Sequence, residues 1–167
     1  MLRPSELLDA ARLLASSQHL PLTDGRIRRA ISTAYYALFH AVLTAGADRF
    51  FGATGRNRPG YAIVYRSFDH GRMKKACEDA ARGTLTQTLQ RQVRRAAFGP
   101  DLRDFANAFV LLQASRHIAD YDPTAALQHA DALAAIDRAE RAIVSLNGTP
   151  DDERSDLLAL MLGGSRS

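Results

Sequence analysis

The sequence predicts an all-α protein folded as a helical bundle, and two observations support this prediction. Apolar residues recur at the i, i+3, i+4, i+7 spacing of a helix face along several segments. Val, Ile, Thr and aromatic residues never alternate over a strand-length run, so we expect almost no sheet. Alanine is the commonest residue.

The composition is that of a globular protein. Its 167 residues suit one domain with a sizeable core, and 46% of them are hydrophobic. The single cysteine, Cys77, excludes an internal disulfide framework and a cysteine-rich zinc site. No apolar run approaches membrane-spanning length and the N-terminus does not have a signal-peptide pattern, so a cytoplasmic location is predicted.

The charge is unevenly distributed along the chain. Residues 1–116 hold 18 Lys and Arg against 9 Asp and Glu, whereas residues 118–167 hold 4 against 9. A basic body with an acidic C-terminal part suits a phosphate-rich partner such as RNA, or an acidic protein. The alternative is that the arginine content only reflects a GC-rich genome.

The central helix of the bundle is predicted over residues 26–47, with Thr23 and Asp24 as its N-cap and Gly46 as its stop. Its apolar stripe comprises Ile27, Ala30, Ile31, Ala34, Tyr35, Leu38, Ala41, Val42 and Ala45. A second face is rich in Tyr, His and small residues, so we expect this helix to be covered on more than one side.

Seven further helices are predicted, at residues 4–17, 61–71, 73–82, 85–97, 101–120, 124–146 and 152–162. Residues 47–60 are predicted to be a basic loop that either wraps a ligand or is simply solvated. Residues 1–148 would form the bundle, with an insertion at about 47–100. Residues 149–167 would add a short helix and a disordered tail from residue 163.

The segment S-R-H-I-A-D-Y-D, residues 115–122, gathers four functional side chains within two helical turns. Arg116 lies where the apolar stripe of its helix points inward, and Asp120 is its expected partner four residues on. His117 and Tyr121 form a parallel pair on the next face. This cluster either places an Arg and a His beside a phosphate, or it is a buried ion pair that fixes helix packing.

A second candidate site lies on the central helix, where Tyr36 and His40 face one way. Arg29 and Thr33 are placed on the same row, so Tyr36, His40 and Arg29 are candidate binding residues. The alternative is a hydrogen-bonded core tyrosine with a satisfied core histidine.

A third candidate is His70, in D-H-G at residues 69–71, followed by Lys74 and Lys75. A histidine before a glycine at a helix end can titrate and contact a ligand, although such a residue is more often a cap. The histidines at positions 19, 40, 70, 117 and 129 have no metal-ligand spacing. No phosphate-binding glycine loop is found, and no cofactor is predicted.

Two of these segments together resemble the HEPN superfamily of small prokaryotic helical proteins. R-R-A-I-S-T-A-Y-Y-A-L-F-H-A at residues 28–41 resembles the HEPN central helix, and residues 115–122 resemble the R-x-x-A-D-Y segment of one branch. The resemblance covers about residues 5–146. It implies an up-and-down bundle of four or five helices that forms a homodimer. It also implies a toxin–antitoxin or defence context, with RNA, a nucleotide or a nucleotidyltransferase-like antitoxin as partner.

Many HEPN members are metal-independent ribonucleases, and the resemblance implies that Arg116 binds phosphate. A His separated from this Arg by four to six intervening residues would act in acid–base transfer with a ribose 2′-hydroxyl. The positions at that spacing hold Tyr121, Asp122 and Pro123. Tyrosine is a poor general base at neutral pH. Either His117 or His70 therefore substitutes in the chemistry, or the domain no longer cuts.

We therefore predict a HEPN-like binding module with a degenerate ribonuclease motif. In such a module Asp120 would satisfy Arg116. The alternative is an active ribonuclease toxin, in which Arg116 and either His117 or His70 face each other across a basic groove at a dimer interface. A purely structural bundle would leave the Arg116 region sealed.

Overall fold

In the computed structural model, residues 2–18 and 20–163 are described, and they form an all-α helical bundle without a strand. The described part contains a 3₁₀-helix, Ala53–Gly55, and eight α-helices: α1 Pro4–Ala15, α2 Asp24–Phe51, α3 Pro59–Arg66, α4 His70–Ala80, α5 Gln87–Val93, α6 Pro100–Tyr121, α7 His129–Gly148 and α8 Asp151–Gly163. The predicted all-α class is confirmed. The predicted tail began at residue 163, which is the last residue of α8, and its remaining residues, 164–167, lie outside the described residues.

The chain forms two compact units. The first comprises residues 1–41 and 108–144, and the second comprises residues 42–107 and 145–167. The boundaries fall within α2, α6 and α7, so each of these helices contributes residues to both units.

The core of the first unit is built on the apolar stripe of α2. Its positions in this unit are each at most 9% exposed: Ile27, Ala30, Ile31, Ala34, Tyr35, Leu38 and Ala41. The Tyr35 ring meets the ring of Phe109 on α6 edge-on, with centroids 5.8 Å apart. Both rings are fully buried, so this aromatic pair anchors α6 to α2 in the core of the first unit.

In the second unit, α2 continues beyond Gly46 to Phe51, so the predicted stop at Gly46 is wrong. The ring of Phe68 occupies the space where a side chain at Gly46 would lie, because a Cβ there would be 2.6 Å from Phe68 Cε2. Gly52 ends the helix instead: its φ is 68°, and its N–H donates to the Asp48 carbonyl at 2.7 Å. Gly46 therefore makes room for the Phe68 ring, and Gly52 ends α2.

Several other predicted boundaries also need correction. Residues 47–60, predicted as a loop, hold the end of α2, the 3₁₀-helix and the start of α3. α3 ends at Arg66 rather than at residue 71. α7 begins at His129 rather than at residue 124, and the Asp131 carboxylate caps this start by accepting the N–H of Gln128 at 2.7 Å.

The acidic start of α8 pairs with a basic residue of the same unit. Arg95 is only 17% exposed, and its guanidinium lies 2.7 Å from Asp156, 3.1 Å from Asp152 and 3.3 Å from Glu153. Glu153 also accepts the N–H of Gly99 at 2.9 Å. Part of the acidic C-terminal charge is therefore used in fixing α8 to the segment between α5 and α6.

Candidate functional site

The candidate site lies in the first unit, at the C-terminal end of α6. Arg116 is 21% exposed, and its Nε lies 2.8 Å from Asp120 Oδ2, which confirms the ion pair predicted from their four-residue spacing. A half-buried guanidinium needs such a partner because its desolvation is costly. The contact is an ion pair rather than a directed hydrogen bond, because the buried Nε has no hydrogen-bond acceptor among the residues that the structure describes.

Two tyrosines complete the surroundings of Arg116. Its Nη2 donates to Tyr36 Oη at 3.0 Å and lies 3.5 Å from Tyr121 Oη. The guanidinium carbon is 5.6 Å from the Tyr36 ring centroid and 5.3 Å from the Tyr121 centroid. Burial alone would lower the pKa of Arg116, but the hydrogen bond to Tyr36 and the Asp120 charge raise it above its ordinary value. The guanidinium is therefore permanently charged.

The predicted pair of His117 and Tyr121 is present on the outer side of α6. Their ring centroids are 5.0 Å apart, and both residues are exposed, Tyr121 by 62%. On α2, the rings of Tyr36 and His40 have centroids 6.4 Å apart, as their four-residue spacing predicts. Each histidine thus packs against a tyrosine whose hydroxyl lies beside Arg116: His117 packs against Tyr121, and His40 packs against Tyr36.

Arg29 does not belong to this cluster. It is exposed, and its main-chain carbonyl accepts a hydrogen bond from Thr33 Oγ1 at 2.6 Å. Among the described residues its side chain makes no ion pair or hydrogen bond to Arg116, Asp120 or Tyr36. The neighbouring residue, Arg28, faces the site in its place.

Sequence reasoning missed Arg28 and Ser32, which form one row with Tyr36 along α2. The hydroxyl of Ser32, 1% exposed, donates to Asp120 Oδ2 at 3.2 Å. Arg28 donates to the main-chain carbonyls of Ala119 at 3.2 Å, Asp122 at 2.7 Å and Ala125 at 2.7 Å. Counting back from Tyr36 in steps of four would have identified both residues.

Arg28 satisfies carbonyls that the end of a helix leaves without partners. Its side chain is 15% exposed, and its Nε also pairs with Asp24 at 2.6 Å. Because these carbonyls lie on both sides of Tyr121, Arg28 ties the end of α6 and the turn after it to α2. It is thus a positioning residue for Arg116 and Tyr121.

His70 belongs to the second unit, whereas the Arg116 cluster belongs to the first. The prediction that His70 lies at the end of a helix is wrong, since it is the first residue of α4. The cap is Asp69, whose carboxylate accepts the N–H groups of Gly71 and Arg72, both at 3.0 Å. These hydrogen bonds lower the pKa of Asp69.

The cluster has the chemistry of an anion-binding site. Asp120 forms an ion pair with Arg116 at Nε, the two tyrosine hydroxyls lie beside Nη2, and Nη1 makes no hydrogen bond to these three side chains. A guanidinium oriented in this way can donate to a phosphate oxygen. In the described ranges, no three His, Cys, Asp or Glu side chains gather as metal ligands.

The fold and the site together define the class of this protein: it is an all-α helical bundle that carries a polar cluster centred on Arg116. A scan of protein-family models finds no match to the chain, and searches of curated proteins and of solved structures also find none. Within residues 2–18 and 20–163, no helix is both long and apolar enough to cross a membrane.

Proposed function

We propose that this chain is a HEPN-like module that binds RNA through Arg116 and does not cleave it. The supporting observation is the set of contacts around Arg116. Asp120 and Tyr36 hold its guanidinium at 2.8 and 3.0 Å, which orients the charge before a ligand arrives. The exposed ring of Tyr121 adds a surface on which a base can stack.

Binding is favoured over cleavage because the expected base is missing. Attack by a ribose 2′-hydroxyl needs one group to remove its proton and another to protonate the leaving oxygen. The side chains beside Arg116 Nη2 are the phenols of Tyr36 and Tyr121, and phenols are poor general bases at neutral pH. The resemblance to HEPN proteins would place such a module with a cognate protein in a toxin–antitoxin or defence system.

Replacing Arg116 with glutamine is expected to weaken RNA binding by about tenfold or more, because the charged donor to phosphate is lost. The measurement is fluorescence anisotropy of a labelled single-stranded RNA with a chelator present, followed by electrophoresis of the RNA. Arg116→Lys keeps a charge beside Asp120 but loses the planar fork, so we expect intermediate affinity.

The matched control is Arg141→Gln, which removes an arginine of the same unit that is 74% exposed on α7 and paired with Asp137. We expect it to bind RNA as the wild type does. Equal affinity of Arg116→Gln and wild type, with both folded by circular dichroism, would reject the site. Metal-independent cleavage that disappears in Arg116→Gln and His117→Ala would establish the ribonuclease instead.

We also propose that a second copy of the chain binds along α6. Apolar side chains form an exposed stripe on this helix at i, i+3, i+7 and i+10, the spacing of a helix–helix seam: Leu111, Ala114, Ile118 and Tyr121. Such a stripe is unusual on a helix that faces only water. Since Tyr121 belongs to both the stripe and the site, pairing would bring two Arg116 clusters close together.

Placing a charge in this seam is expected to separate the two copies. Sedimentation velocity should show a dimer for the wild type and a monomer for Ile118→Glu, because the glutamate would be desolvated at the seam. Leu133→Glu is the control, since Leu133 is 49% exposed on α7 and lies outside the stripe. A wild type that sediments as a monomer at tens of micromolar would contradict the proposal.

A further inference from the structure

The second unit contains an arginine-rich surface that the proposed function does not use. Residues 49–68 include Arg49, Arg56, Arg58 and Arg66 but no Asp or Glu. They comprise the last turn of α2, the 3₁₀-helix and α3, and together they are called the arginine lobe below. The sequence predicted a basic loop over most of this stretch, but the structure makes it a folded scaffold.

The arginine lobe is fixed by one acidic residue that precedes it. Asp48 accepts hydrogen bonds from Arg56 Nε at 2.9 Å and from Tyr61 Oη at 3.0 Å. The Arg56 hydrogen bond lowers the pKa of Asp48, and burial together with Asp48 raises the pKa of Tyr61 to about 12. The Phe51 ring also packs 6.2 Å from the Tyr61 ring. Arg56 is thus structural, and the lobe is preorganised.

The three other arginines of the lobe are exposed. Arg49, Arg58 and Arg66 make no ion pair with any residue that the structure describes, whereas Arg56 of the same segment pairs with Asp48. Two apolar side chains of the same segment are also exposed, Phe50 by 64% and Ile63 by 69%. A segment that exposes three unpaired arginines and an aromatic ring suits a polyanion.

A polar hollow adjoins Arg49. Its volume is about 300 Å³, and it is lined by Ala45, Asp48, Arg49, Asn147, Asp151, Arg154 and Leu158. Both of its aspartates are already neutralised, Asp48 by Arg56 and Asp151 by Arg154. Arg49 is therefore the one charged lining residue without a partner among the described residues, and the hollow can accept a phosphate group beside it.

We propose that the arginine lobe is a docking surface for single-stranded RNA, separate from the Arg116 site. All its cations are arginines, whose planar fork binds phosphate oxygens in pairs, and Phe50 provides a face for base stacking. A lipid surface fits less well. A membrane-bound helix needs a continuous apolar face, whereas α3 has eight residues and includes an exposed Arg66.

The experiment compares two triple variants that remove the same charge from the second unit. One is Arg49→Gln/Arg58→Gln/Arg66→Gln, and the control is Lys74→Gln/Arg91→Gln/Arg94→Gln. The probe is a fluorescent oligouridine RNA of twenty nucleotides, titrated at several salt concentrations. We expect the lobe triple to lose at least about tenfold in affinity and to reduce the slope of log K against log salt by about 2.

The control triple should stay within about threefold of the wild type, since it tests net charge alone. Phe50→Ala should weaken binding by about fivefold or more without changing the salt slope, because stacking releases no counterions. Equal losses in the two triples would overturn the proposal, as would a wild type that does not bind this RNA at low salt. Phe50-dependent binding to phosphatidylserine vesicles with unchanged RNA binding would identify a lipid surface instead.

Arg116→Gln, titrated beside these variants, separates this inference from the proposed function. Loss of binding in the lobe triple with normal binding by Arg116→Gln would support the lobe and reject the Arg116 site. The opposite pattern would reject the lobe. Because the three lobe arginines are exposed and unpaired within the described residues, circular dichroism should show unchanged folding in their triple variant.

Discussion

Gly46→Val is expected to lower the free energy of unfolding by about 3 kcal/mol. The ring of Phe68 is 6% exposed and occupies the space beside Gly46, so a Cβ at that position would lie 2.6 Å from Phe68 Cε2. Neither the backbone at Gly46 nor the Phe68 ring can move away easily, because Gly46 lies within α2 and the ring is buried. Urea unfolding followed by circular dichroism at 222 nm measures the loss.

Two further variants test whether this loss comes from the overlap. Gly25→Ala is the control, since a Cβ at Gly25 would have no atom within 4 Å; we expect it to be neutral or stabilising by about 0.5–1 kcal/mol. Phe68→Ala opens space beside Gly46. In the Phe68→Ala background, Gly46→Val should therefore cost at least about 1 kcal/mol less than in the wild type. Additive losses would show that the two residues do not compete for space.

Gly46 also shows where sequence reasoning fails in this protein. All eight α-helices were predicted, because the apolar periodicity that indicates a helix is contained within the helix itself. A glycine that ends a helix and a glycine on which a ring packs look the same in a sequence. Telling Gly46 from Gly52 requires knowing that Phe68, from the turn after α3, packs on the helix.

In the candidate site too, contacts within one helix were predictable from the sequence, whereas contacts between helices were not. The pairs Arg116–Asp120 and His117–Tyr121 were predictable because each lies on one face of one helix. Arg28 was missed because its partners are main-chain carbonyls at the far end of α6, which side-chain patterns do not reveal. Arg29, which was predicted as a binding residue on the row of Tyr36 and His40, is the next residue along α2 and therefore lies about 100° further around the helix.

Arg28→Met is the second large effect that we expect, a loss of about 3–4 kcal/mol in the free energy of unfolding of the first unit. Methionine keeps much of the side-chain volume but removes the Arg28 donor from the carbonyls of Ala119, Asp122 and Ala125, of which Ala125 keeps the N–H of Leu127. Arg28→Lys keeps the charge yet cannot reach three carbonyls at once, so it should recover only part of the loss.

Arg29→Met is the matched control, because Arg29 is the adjacent arginine but is exposed; we expect a change within about 0.5 kcal/mol. Hydrogen exchange distinguishes a positioning role from general destabilisation. In Arg28→Lys, amides at residues 119–125 should exchange faster while those around buried Phe109 stay protected, because only the end of α6 is released. The RNA affinity of Arg28→Lys should also fall, since Arg116 and Tyr121 lose their fixed geometry. Uniformly faster exchange would show that Arg28 stabilises the unit without positioning the site.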